Sequence, residues 1–108
     1  MDFKTYQERA VETAIYDMED AITYPALGLG GEVGELQGKI SKVMRDKSFV
    51  FGSADLKDLS KEIGDCLWFL AALADDFGLS LDQIAEENLD KLKDRAERNV
   101  ISGSGDDR

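Results

Sequence analysis

The chain has 108 residues and a mass of 11.9 kDa, which fits one domain and excludes a second. Its 13 basic and 23 acidic residues leave a net charge of −10, so polyanionic nucleic acids and anionic membrane surfaces are repelled and neither is a predicted partner. A hydrophobic share of 43% predicts a packed core, while the absence of histidine removes imidazole acid–base chemistry, Ser-His and Cys-His nucleophile pairs, and most zinc and di-iron sites.

Apolar residues at Phe3, Tyr6, Ala10 and Ala14, flanked by Val11 and Met18, keep a three-and-four spacing and predict a first helix over about residues 4–18. Tyr24-Pro25 sets an extended step, because the residue before proline avoids the helical region while proline itself suits a first turn. A second helix is therefore predicted from there to about Arg45. It carries Gly28, Gly30, Gly31, Gly34 and Gly38, each about 0.5–1 kcal/mol less favourable than alanine in a helix interior. Two explanations stand: close helix–helix packing across a glycine-lined face, or backbone cleared for a ligand. Asp46 to Ser53 reads as a loop whose apolar centre, Phe49, Val50 and Phe51, makes it a candidate lid or a packed loop.

A third helix begins near Ala54 and places Leu56, Leu59, Ile63, Leu67, Leu70, Ala74 and Phe77 on one stripe, widened by Trp68, Phe69 and Leu73. It is the most buried helix expected. Gly78 caps it, and Ser80-Leu81-Asp82-Gln83 is a capping box for a fourth helix that runs to about Asn99 with Leu81, Ala85, Leu89, Leu92 and Ala96 on one face. The short turn makes helices three and four antiparallel neighbours. No strand alternation appears, so the expectation is an all-α four-helix bundle over residues 1–101 and a flexible tail over 102–108. The arc of Leu67, Trp68, Phe69, Leu70 and Leu73 is wider than one neighbouring helix pair covers, which predicts a homodimer or homotetramer. A single cysteine, Cys66, no basic region leading into an apolar run at the N-terminus, and no apolar run of 18 residues make the cytoplasm the expected address.

Acids three apart share a helix face and can share a metal, yet 23 acids in this length give about five such pairs by chance and the chain has six. Spacing therefore decides nothing, and surroundings must. Glu32/Glu35 lies in the glycine-rich run and Glu62/Asp65 opens into Cys66-Leu67-Trp68-Phe69, so these two pairs fall where helices bury themselves. Buried carboxylates need cations or donors as partners. Oxygen-only ligation suits Mg²⁺ or Mn²⁺, and Mg²⁺ bridges carboxylates to substrate phosphates. Lys39 and Lys42, two turns beyond Glu32 and Glu35, together with Arg45, place basic charge next to that acid; Asn88, Lys91 and Arg95 form a similar polar row on the fourth helix. A P-loop, an EF-hand and a ferritin-like site are each ruled out by the residues present.

Glu32-x-x-Glu35, then 26 residues, then Glu62-x-x-Asp65, followed by Asn88-x-x-Lys91-Leu92-x-x-Arg95, resembles the MazG-like all-α nucleoside triphosphate pyrophosphohydrolases. The glycine-rich Leu27–Gly31 run and the Gly64-Asp65-Cys66-Leu67-Trp68 stretch are similar to that superfamily as well, and the tail from Gly103 to Arg108 is similar to one small single-domain subgroup of it. The resemblance implies Mg²⁺-dependent hydrolysis of a nucleotide between its α and β phosphates, giving monophosphate and pyrophosphate. It implies Glu32, Glu35, Glu62 and Asp65 as metal ligands, with Glu32 or Glu35 as catalytic base. Lys39, Lys42, Arg45, Asn88, Lys91 and Arg95 become the substrate-binding residues. Trp68, one turn beyond Asp65, is read as core packing in preference to base stacking. Two other readings remain: a phosphoribosyl-ATP-type pyrophosphohydrolase, and a non-enzymatic acidic helical interaction protein.

Overall fold

A computed structural model describes residues 1–108 as four α-helices and no strand: α1 (Phe3–Val11), α2 (Thr23–Lys47), α3 (Ser53–Asp76) and α4 (Leu81–Glu97), with a short 3₁₀ turn at Met18–Asp20. Asp2 caps α1 by accepting from the Thr5 amide at 2.8 Å. The helix stops at Val11 and does not reach the predicted limit near Met18. At its end Thr13 Oγ1 donates to the Ala10 carbonyl at 2.6 Å and accepts from the Trp68 indole at 2.8 Å. Tyr16 then swings to Asp76, its hydroxyl donating to Oδ2 at 2.9 Å, and burial followed by that bond pushes the phenol up to about 12. The same oxygen accepts from the Ile22 amide at 2.9 Å, where Ile22 turns the chain at φ 66° into α2. These bonds to α3 override the apolar periodicity that continues past Val11.

Pro25 lies in the first turn of α2 and is fully buried. Helices α2 and α3 form the main pair, and Gly28 lets them approach: a Cβ there would stand 2.2 Å from Phe69 Cε1. Cβ atoms added at Gly30, Gly31, Gly34 and Gly38 would meet nothing within 4 Å. Close packing thus explains one glycine of the five.

The link between α2 and α3 is shorter than predicted, residues 48–52, because α2 runs to Lys47 before Ser48 and Phe49 enter the left-handed region at φ 50° and 65°. Phe49 and Val50 point outward, 60% and 69% exposed, while Phe51 is half-buried, so the segment is not a packed loop. Asp55 ties this corner together, accepting from Lys47 Nζ at 2.7 Å and from the Gly52 amide at 2.9 Å. The Lys47 ammonium first, and the Gly52 amide second, hold the Asp55 carboxyl below its ordinary value. A depressed folded-state value adds stability above the unfolded value, which is lost as pH falls through the folded one. Asp55→Asn is therefore expected to lower the thermal midpoint at pH 7, and the gap to the parent chain should close below about pH 3.9 in calorimetry. A gap independent of pH would assign the loss to shape instead of charge.

Helix α3 is the most buried, contributing Phe69, Ala71, Ala72, Ala74 and Glu62, and Ala71 joins Ala10 and Leu81 in a small core lined by Tyr6 and Trp68. Its predicted stripe is covered only in part: Leu56, Ile63, Leu70 and Phe77 stay exposed. Gly78 closes α3 at φ 70° and Ser80 caps α4, its Oγ accepting from the Gln83 amide at 3.2 Å, as the sequence predicts. Gln7 of α1 serves the same corner. It donates to the Ala71 and Leu79 carbonyls at 3.3 and 3.0 Å and accepts from the Leu81 amide at 2.9 Å. Helix α4 so packs on α1 and α3. No helix is long and apolar enough to cross a membrane.

Candidate functional site

One turn of α2 and the buried face of α3 bring three carboxylates together. Glu32, Glu35 and Glu62 each offer an oxygen, and these oxygens lie within 4.8 Å of one another. Positions 32 and 35 share a face by helical spacing, and that face looks onto α3 where Glu62 points inward. Burial falls off in one direction: Glu62 is buried, Glu32 half-buried and Glu35 exposed. The group therefore opens to solvent on the Glu35 side.

Lys39 neutralises the deepest acid, its Nζ donating to Glu62 Oε1 at 2.7 Å. The Lys39 ammonium holds the Glu62 carboxyl below its ordinary value against the opposing effect of burial. Glu32 shifts the other way. Burial raises it first, then the adjoining Glu62 carboxylate and the charges of Glu35 and Asp65. One carboxylate held ionised beside one that favours its proton is how a site with too little positive charge settles. Two oxygens remain buried without any donor, Glu32 Oε2 and Glu62 Oε2. Buried acceptors are nearly always paired, so these two mark where a cation fits, and an all-oxygen donor set suits a hard divalent ion such as Mg²⁺ or Mn²⁺. Cys66 is adjacent, and burial and then Glu32, Glu62 and Asp65 push its thiol up, which disfavours the reactive thiolate.

The remaining predicted residues divide. Asp65 sits one turn beyond Glu62, exposed, adding its charge to Glu32 from outside the three-carboxylate group. Lys39 and Lys42, with Lys47, Val43 and Leu59, line a groove of about 180 Å³ between α2 and α3, which Asp46, Asp55 and Asp58 share. Arg45 stands apart from it, making a two-pronged pair with Asp46 at 2.7 and 2.8 Å. Asn88 and Lys91 line a shallow pocket with Ile84 and Glu87 on α4, and Arg95 is buried under the C-terminal residues. The acid group is built by α2 and α3, and the α4 row meets the tail instead.

Sequence reasoning missed three features. The Lys39–Glu62 pair is one: the seven-residue step from Glu32 put Lys39 on the acid stripe, but nothing in the sequence set the α2–α3 register that gives it Glu62. Another is a pocket of about 300 Å³ lined by Thr13, Ile15, Tyr16, Tyr24 and Trp68. Trp68 packs on the core as expected, edge-on to Phe69 at 5.0 Å, and also forms a wall of this pocket. The third is the reach of Asp106 to Lys91 and Arg95: the resemblance singles out the tail from Gly103 to Arg108 but not what it touches.

Residues 18–100 match the MazG nucleotide pyrophosphohydrolase domain. The chain is also 40% identical to the Gene 37 protein of Mycobacterium phage L5 over 114 aligned positions, covering the whole of both chains. No solved structure matches.

Proposed function

The chain belongs to the MazG nucleotide pyrophosphohydrolase family, and from that premise we propose that it hydrolyses a ribo- or deoxynucleoside triphosphate between the α and β phosphates, with Mg²⁺, to monophosphate and pyrophosphate. The observation that carries this reading is the pair of buried, partnerless oxygens on Glu32 and Glu62 beside Glu35 and a groove that three lysines share with three aspartates. Three acids converging in this way favour an enzyme over an acidic interaction protein, whose carboxylates would face solvent separately.

In this reading Glu32, Glu35 and Glu62 hold the ion, with Asp65 completing the set from the exposed side. Mg²⁺ or Mn²⁺ held there would offset phosphate charge and make water more acidic. Glu32 or Glu35 takes the proton from the water that attacks in line. Lys42 and Lys39 receive the charge growing on the leaving pyrophosphate, Lys39 by turning from Glu62 once the acid has another cation. Arg45, paired with Asp46, and the α4 row of Asn88, Lys91 and Arg95 lie apart from the acid group, and they bind phosphate in this reading only where a bound nucleotide or a second copy of the chain bridges that gap. Tyr24 lies eight residues before Glu32 on α2, about 12 Å along the axis, so the pocket of Tyr16, Tyr24 and Trp68 is placed for the nucleoside end. Base, scissile bond and leaving group would then follow α2 from N- to C-terminus.

A homodimer or homotetramer belongs to the same reading. Only 10 of 108 residues are buried, and Leu70, Phe77, Leu89 and Leu92 are exposed, more apolar surface than a lone chain ordinarily shows. Light scattering should return a multiple of 11.9 kDa; the single-chain mass at micromolar concentration would refute it.

The deciding experiment incubates the chain with a panel of ribo- and deoxynucleoside triphosphates and phosphoribosyl-ATP in Mg²⁺, then separates the products. Monophosphate plus pyrophosphate is expected from at least one triphosphate. Cleavage confined to phosphoribosyl-ATP would move the substrate to that class, and diphosphate plus orthophosphate would overturn the bond assignment.

A further inference from the structure

Beyond α4 the chain turns back on the helix, carried round by Asn99 at φ 59°, Gly103 at φ 123° and Gly105 at φ 86°. Arg108 staples the return. Its guanidinium donates to the carbonyls of Val100 at 3.1 Å, Gly105 at 2.6 Å and Ile101 at 2.7 Å, while Arg98 donates to the Arg108 carbonyl at 2.7 Å. The turn delivers Asp106 onto the cations of α4. Its Oδ1 accepts from Lys91 Nζ at 3.1 Å and from Arg95 Nη2 at 3.1 Å, and its carbonyl oxygen accepts from Arg95 Nη2 as well.

The two sides of this contact differ sharply in burial. The Arg95 side chain is 6% exposed and that of Asp106 is 81% exposed. An anion thus reaches a buried guanidinium from the solvent side. Both Asp106 acceptors fall on Nη2, and the neighbouring Nε of Arg95 is buried with no partner. Nε and Nη2 form the edge with which arginine grips two oxygens of one phosphate in parallel, so half of that grip is left open. An ion pair whose acid is exposed holds weakly and yields to a more highly charged competitor.

We propose that Lys91 and Arg95 form a phosphate-binding site closed by the chain's own Asp106, whose carboxylate is displaced when a phosphate or pyrophosphate group binds. The proposal rests on reading Lys91 and Arg95 as phosphate-binding residues of a nucleotide pyrophosphohydrolase. Displacement exposes the Arg95 edge and supplies Nε with an acceptor. It also sets a threshold: an anion must outcompete Asp106, which favours the polyphosphate of a nucleotide over inorganic phosphate.

The test is calorimetric titration of the full chain with inorganic pyrophosphate in EDTA, where any binding at Lys39 and Lys42 is common to every form and the α4 and tail variants report on this site. Asp106→Asn should bind pyrophosphate about fivefold more tightly than the parent chain, Asp106→Glu should stay within about twofold of it, and Lys91→Gln should weaken binding by about fivefold or more. Circular dichroism melting of each variant confirms that it is folded, and exposed Asp106 is a position where folding tolerates the change. Unchanged or weaker binding by Asp106→Asn, or no binding by any form, overturns the proposal and leaves Asp106 a structural clasp. The nucleotide panel separates the two readings. Hydrolysis with an unresponsive Asp106→Asn sinks only the displaced strap, while the expected titrations without hydrolysis of any nucleotide sink only the enzymatic reading.

Discussion

Glu35→Gln should lower turnover by about a hundredfold or more while leaving the metal-free thermal midpoint level or higher. Glu35 is the exposed member of the three-carboxylate group, so replacing it removes one negative charge without opening a cavity. Its charge raises the proton affinity of Glu32, and removing it relieves like-charge repulsion that the metal-free chain otherwise carries. Glu62 is the wrong position for this test, because its loss would strand the Lys39 ammonium that it holds at 2.7 Å. Function and stability then move apart at one residue. Mg²⁺ should raise the parent midpoint by binding only the folded chain, an effect of about 2.7 kcal/mol at a hundredfold excess over Kd, and should do so less in the variant. Glu8, exposed on α1, is the control: Glu8→Gln should change neither turnover nor the Mg²⁺ response. If Glu35→Gln unfolds the chain while the folded remainder keeps full activity, Glu35 is a structural acid and the metal assignment fails.

What was legible in the sequence was whatever is decided within a turn or two. Proline in a first turn, glycine after a last one and the Ser80 cap mark the ends of α2, α3 and α4 closely, and the two acid pairs were separated from four ordinary ones by their apolar surroundings. The end of α1 was not legible, because Thr13 and Tyr16 are held by Trp68 and Asp76, far along the chain. The packed-loop reading failed for the same kind of reason: Phe49 and Val50 look like a packing centre until the left-handed turn at Ser48 and Phe49 aims them at solvent. Helical spacing likewise put Leu56, Ile63, Leu70 and Phe77 on the stripe of buried residues without saying how far the neighbouring helices extend. Within the site, spacing along α2 brought Glu32, Glu35 and Lys39 to one side. Only the register of α3 gave Lys39 its partner and left Asp65 outside the closest group.

The glycines of α2 give the second large effect, with opposite signs at two positions one turn apart. Gly28→Ala should destabilise the chain by about 1–3 kcal/mol, because the new methyl would lie 2.2, 2.4 and 2.8 Å from three ring carbons of Phe69. That ring is buried between Tyr24 and Trp68, at 5.9 and 5.0 Å, so it can yield only by disturbing its neighbours. Gly31→Ala should stabilise it by about 0.5–1 kcal/mol, since nothing lies within 4 Å of the added Cβ and alanine relieves the helix of a poor former. In a domain of this size those changes should move the thermal midpoint by several degrees, down for the first and up for the second. Activity tells what Gly31 is for. It lies four residues before Glu35, on the face between the Tyr24 pocket and the acids, and a nucleotide laid along α2 would cross it. In that orientation Gly31→Ala should raise KM while it raises the midpoint, a glycine kept for clearance at a cost in stability. A raised midpoint with KM unchanged would place the nucleotide elsewhere on the α2–α3 pair, and a lowered one would mean that a second copy of the chain already packs against that face.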